Sequence, residues 1–148
     1  MAPDDDKVIL LVDDDPNDVE LTLRAFRTSP IGNQVVVARD GIEALDYLCG
    51  TGAYEGRDPS RLPQVVLLDL NLPVIDGLEV LRRIRADARF RRLPVVILTS
   101  SDQDSDKLAG YGLGANSYVR KPVDFRQFSE AVTRLSLYWM LVNEPPPR

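Results

Sequence analysis

Residues 8–16 read VILLVDDDP, five aliphatic residues closed by three aspartates and a proline. A continuous apolar run this short, rich in β-branched residues, suits a strand covered on both faces, as in a parallel sheet. The acidic-proline end suits the first turn of a following helix. The stretch is therefore one strand-to-helix unit, and the rest of the chain repeats it. Similar runs lie at Val35 to Ala38, Val65 to Leu68, Val95 to Leu98 and Ser117 to Val119. Between them the apolar residues recur at helical spacing, over about Pro16 to Arg27, Ile42 to Leu48, Leu78 to Ile84 and Ser105 to Leu113. From about Asp124 onward, Phe125, Phe128, Val132, Leu135 and Trp139 form a core-facing stripe. Five strand–helix alternations predict an α/β fold with a doubly wound parallel sheet. Spacing alone leaves the strand order open.

The composition narrows the chemistry. The chain has 148 residues, 44% of them apolar, which is one domain with a sizeable core. Its 18 basic and 23 acidic residues give a net charge of −5, an expectation against nucleic-acid binding by bulk electrostatics. No apolar run approaches the ~20 residues of a membrane span, and residues 1–7 (MAPDDDK) lack the character of a secretory signal. The expectation is a cytoplasmic protein without a membrane partner. A single cysteine, Cys49, leaves no internal disulfide, and with no histidine the Ser-His-Asp and Cys-His pairings are excluded.

In a doubly wound sheet the functional crevice lies beyond the carboxyl ends of the strands. Asp13, Asp14 and Asp15 follow the first run, Asp69 the third, Thr99 and Ser100 the fourth, and Lys121 with Pro122 the fifth. Crowded carboxylates repel and raise one another's pKa, and a hard divalent cation relieves this with oxygen ligands. Asp13, Asp14, Asp69 and the carbonyl of Asn71 are a candidate Mg²⁺ set. An Asp69 oxygen is then a candidate nucleophile towards a phosphoryl group, with Lys121 and the Thr99 hydroxyl on its oxygens. Taken singly, each of these residues reads as well as a turn former, a helix cap or a surface lysine. Six arginines, Arg82, Arg83, Arg85, Arg89, Arg91 and Arg92, read as the solvated face and end of the third helix, with binding of an acidic partner or nucleic acid as the other reading. Cys49 reads as a small buried hydrophobe.

Four segments in order, ILLVDDDP, LLDLNLPVIDG, VVILTSS and GANSYVRKP, resemble the receiver domains of two-component response regulators over essentially the whole chain. The resemblance implies a flavodoxin-like fold, a five-stranded sheet in order 2-1-3-4-5 flanked by five helices. It implies Mg²⁺ on Asp13 and Asp14, phosphorylation at Asp69, and a metal contact from the Asn71 carbonyl. Lys121 becomes the phosphoryl-contacting lysine, Thr99 the hydroxyl that moves towards the phosphate, and Tyr118 the aromatic whose ring follows. Pro122 matches a family proline where a cis bond is expected.

The long loop at Gly50 to Pro63 and the ending LYWMLVNEPPP look like the small stand-alone regulators paired with bacterial phytochromes and related kinases. That similarity implies a sensor histidine kinase partner and a homodimer. Tyr138, Trp139, Met140, Leu141 and Val142 are the candidate dimer arm, with folding back onto their own chain as the other reading. The expected organisation is an acidic tail at 1–7, a receiver domain at 8–134, and the end of the last helix with a proline-rich arm at 135–148. After Pro122 only 26 residues remain, so the expected output is binding rather than a separate catalytic domain. Two rivals remain: a phosphohydrolase similar to the haloacid dehalogenase family, and a non-phosphorylated adaptor acting through the arm. A nucleotide-binding module is weaker, because three aspartates and a proline stand where a glycine-rich phosphate loop is required.

Overall fold

The computed structural model describes residues 8–27, 34–101, 103–121, 124–139 and 143–144. Five parallel strands form one sheet: β1 (Val8–Val12), β2 (Gln34–Ala38), β3 (Val65–Leu68), β4 (Val95–Thr99) and β5 (Ser117–Arg120). Their order is β2-β1-β3-β4-β5, and Val12 stands opposite both Ala38 and Leu68. Five helices alternate with them: α1 (Pro16–Arg27), α2 (Gly41–Cys49), α3 (Gly77–Ala86), α4 (Asp104–Gly112) and α5 (Phe125–Leu137). This is the flavodoxin-like receiver arrangement. No described helix is long and apolar enough to cross a membrane.

The period-two geometry of a strand sends alternate side chains to opposite faces. Leu10, Val12, Val66, Leu68, Val95 and Ile97 form one core with Ala44, Leu48, Val80, Leu81 and Ile84 of α2 and α3. Ile9, Leu11, Val65, Leu67, Val96 and Leu98 form the other with Val19 and Phe26 of α1 and Phe128, Val132 and Trp139 of the last helix and its end. That division is why the central strands read as unbroken apolar runs. The edge strands differ from the sequence expectation. Val35 to Val37 of β2 and Ser117 to Val119 of β5 are only half-buried, because each has a neighbour on one side alone.

Aspartates start α2, α3 and α5. Asp40, Asp76 and Asp124 accept the amides of Glu43, Glu79, and Arg126 with Gln127 respectively, offsetting the unmet N–H groups of a first turn. Gly50 ends α2 in the left-handed conformation that glycine tolerates best. The loop after it is held down by Arg57, whose guanidinium stacks 3.9 Å from the Tyr47 ring centroid and donates to the Tyr47 and Arg61 carbonyls.

Arg85 corrects the reading of the arginine cluster. It is not a solvated side chain: it donates to the carbonyls of Phe90, Leu93 and Gly114 and to Asn116 Oδ1. Arg82 and Arg83 remain on the exposed face, both paired with Glu79. Cys49 is half-buried against the first core, with the Arg89 guanidinium 3.6 Å from its sulfur.

Candidate functional site

Three of the expected residues are the first residues beyond their strands, and the ladder itself holds them. The Asp13 amide donates to the Ala38 carbonyl at 3.0 Å, the Asp69 amide to Val12 at 3.0 Å, and the Lys121 amide to Thr99 at 2.7 Å. Each backbone is therefore tied to the last carbonyl of a neighbouring strand, which aligns the side chains on one edge of the sheet. Gly77, at the start of α3, closes over the same edge. Its amide donates to the Leu70 carbonyl at 2.9 Å, and a Cβ there would stand 2.2 Å from the Asp69 carbonyl oxygen. Only glycine lets α3 approach the Asp69 backbone this closely.

The side chains converge. Lys121 Nζ donates to Asp13 Oδ2 at 2.7 Å, to Asp18 Oδ2 at 2.9 Å and to Asp69 Oδ2 at 3.4 Å. Asp13, Asp69, Thr99 and Lys121 are all buried. Asp13 Oδ1 accepts the Asp15 amide at 3.0 Å, so both of its oxygens are engaged. Burial pushes the Asp13 carboxyl above the ordinary aspartate range, and the Asp69 charge adds to that push. The hydrogen bond and charge of Lys121 and the Asp15 amide oppose it. For Lys121, burial acts to lower the pKa. The hydrogen bond and charge of Asp13, then Asp69 and Asp18, outweigh it and hold the ammonium above its usual range.

Carboxylate oxygens of Asp13, Asp14 and Asp69 lie within 4.8 Å of one another, the first and last buried and Asp14 exposed. Hard oxygen donors, an excess of negative charge and one ligand facing solvent suit a hexacoordinate divalent cation that keeps waters. The residues present fit such an ion. Asn71 is exposed beside them, its amide 3.4 Å from Asp69 Oδ1, and it lines a crevice with Asp14, Leu72, Pro73, Asp76 and Asp106.

The remaining expected residues are spread around this edge. The Thr99 hydroxyl is fully buried and accepts the Ser101 amide at 3.4 Å. Tyr118 donates its hydroxyl to the Ser101 carbonyl at 2.9 Å, and Ser101 Oγ donates to Asp106 Oδ2 at 2.5 Å. Trp139 is buried in the core with α1 and α5, whereas Tyr138 beside it is exposed. Pro122, Met140, Leu141 and Val142 lie outside the described residues. Sequence reasoning missed Asp18. Third in α1, it resembles any acid of a helix first turn, and nothing local marks it as the partner of a lysine 103 residues away.

The chain as a whole is similar to known response regulators. Rcp1, a response regulator of Synechocystis sp., is 38% identical over 134 residues, covering 90% of this chain and 89% of that one. Its Mn(2+)-bound crystal structure superposes with a TM-score of 0.87, covering 95% and 99% of the two chains. The phosphorylated cyanobacterial phytochrome response regulator RcpA superposes at 0.88, with 36% identity and 95% and 99% coverage. The bacteriophytochrome response regulator AtBRR is 51% identical with a TM-score of 0.71, covering 93% and 98%. Residues 9–133 match the family described as the response regulator receiver domain, and the chain accordingly belongs to the response regulator receiver family.

Proposed function

We propose that Asp69 accepts a phosphoryl group from a phosphohistidine of a sensor histidine kinase, and that the transfer switches a protein-binding surface. The observation that carries this reading is the convergence of Lys121 on Asp13 and Asp69 at buried strand ends, with Asp14 beside them. Asp13, Asp14, Asp69 and the Asn71 carbonyl would hold Mg²⁺, which when bound supplies positive charge to the oxygens of the transferring group. An Asp69 carboxylate oxygen forms the bond to phosphorus while the P–N bond to imidazole breaks, the nitrogen leaving with the bonding pair. Lys121 takes one phosphoryl oxygen and the Thr99 hydroxyl another, each replacing water with a fixed donor.

The switch follows from what Thr99 is tied to. Drawing its hydroxyl towards the phosphoryl group shifts Ser101, whose carbonyl holds the Tyr118 hydroxyl. The ring is then free to turn inward, and the face formed by α4, β5 and α5, where Leu108 and Tyr111 are exposed, changes with it. The relatives RcpA and AtBRR, named for phytochromes, favour a bacteriophytochrome as the kinase, and the setting is the cytoplasm. A homodimer through the end of α5 and the arm would use Tyr138 and residues 140–142. Trp139 is already committed to its own core.

Intact mass after incubation with acetyl phosphate and Mg²⁺ tests the chemistry. The wild-type chain gains one phosphoryl group and loses the gain when EDTA is added beforehand, while Asp69→Asn gains none. Stoichiometric phosphorylation of Asp69→Asn would sink the assignment. No gain in the wild type would leave the adaptor reading. Elution from a sizing column before and after phosphorylation reads the oligomeric state.

A further inference from the structure

Lys121 has three N–H donors and three carboxylate partners, of which Asp13 and Asp69 also belong to the candidate metal set. Asp18 does not belong to it. We propose that Asp18 is a positioning residue for Lys121, keeping the ammonium at the phospho-acceptor when a divalent cation takes over Asp13 and Asp69. The inference rests on the metal reading above.

The local role an acid usually has at this place is already filled. Asp15 Oδ1 accepts the amides of Asn17 at 2.9 Å and Asp18 at 3.4 Å, so the first turn of α1 is capped without the Asp18 side chain. Among the described hydrogen bonds, the Asp18 carboxylate accepts from Lys121 alone. Its backbone is fixed, since the carbonyl accepts the Thr22 hydroxyl at 2.8 Å. A dication on Asp13 and Asp69 withdraws their lone pairs and repels an ammonium a few ångströms away. Without another anchor the lysine stem would relax into solvent, losing the donor meant for the phosphoryl oxygen. The Asp18 side chain is 31% exposed against 2% for Asp13, so it keeps part of its hydration and needs no metal to be satisfied. It is not among the carboxylates that lie within 4.8 Å of one another, so it can hold one N–H and leave others for the phosphoryl group.

Calorimetric titration of the full chain with MgCl₂ tests this through a double-mutant cycle. Asp18→Asn is expected to weaken Mg²⁺ binding by about three- to tenfold, and Asp18→Glu to restore most of it. In a Lys121→Met background the same Asp18→Asn change is expected to have less than a twofold effect, since Asp18 then has no lysine to hold. Equal weakening with and without Lys121 would overturn the inference by showing a plain charge effect. Unchanged binding in Asp18→Asn would also overturn it. If wild type itself binds no Mg²⁺, the metal reading fails as well, which separates the two failures. Melting guards against a folding defect: in EDTA, where Asp13 and Asp69 still hold Lys121, Asp18→Asn is expected to lose little, and it is expected to gain less stabilisation from Mg²⁺ than wild type. A loss of the same size in both conditions would show a merely structural role and overturn the inference.

Discussion

Val74 has φ 73° and is 78% exposed, on the loop that joins Asn71 to the start of α3. A β-branched residue in the left-handed region costs on the order of 1–3 kcal/mol, and such strain collects at functional sites. Nothing is gained in burial to offset it. Asparagine tolerates this conformation better, so Val74→Asn is expected to raise stability by about 1 kcal/mol. A urea denaturation midpoint that rises with an unchanged slope checks this. Asp18 shows the opposite case at the same scale, a residue whose backbone is ordinary and whose side chain matters through one distant partner. Neither property is written in the residue type. Valine gives no sign of a positive φ, and an aspartate three residues into a helix gives no sign of which way it points.

The helices were legible to within a residue or two, because apolar spacing marks them. Pro16–Arg27 agrees at both ends, and Asp40, Asp76 and Asp124 each stand at a helix start. The face of α3 was less legible. Its basic residues read as one solvated set, yet Arg85 joins the end of α3 to the turn before β5, reaching the Gly114 carbonyl 29 residues on. Arg85→Met keeps the apolar stem and strands the carbonyls of Leu93 and Gly114. It is expected to cost about 2 kcal/mol, read as a lower denaturation midpoint, whereas Arg82→Met, on the exposed Glu79 pair, is expected to leave the midpoint nearly unchanged.

For the whole molecule, Trp139 carries the question of where the domain ends. The sequence reading closed the receiver domain at residue 134 and gave Trp139 two places, the core-facing stripe of the last helix and a candidate dimer arm. The structure buries its ring with Phe26, Leu67, Leu98 and Val132, edge-on to Tyr138 at 5.1 Å between centroids. Trp139→Ala is therefore expected to destabilise the fold by about 3 kcal/mol, measured by circular dichroism in denaturant. A variant that kept its stability and changed only its elution volume would return Trp139 to a partner interface.

The order of apolar runs, the residues closing them and the caps between them are local facts, and the sequence alone determined the α/β class and the gathering of Asp13, Asp14, Asp69 and Lys121 at one edge. Parallel strands place their carboxyl ends together whatever the details, so residues that follow strands meet without any distance being known. Which charge pairs with which was decided only by the tertiary structure. A salt bridge between α1 and the end of β5, or a guanidinium reaching from α3 to the turn before β5, depends on helix rotation and side-chain direction to within an ångström or two. Those follow from how the two cores pack against the sheet, not from any spacing along the chain.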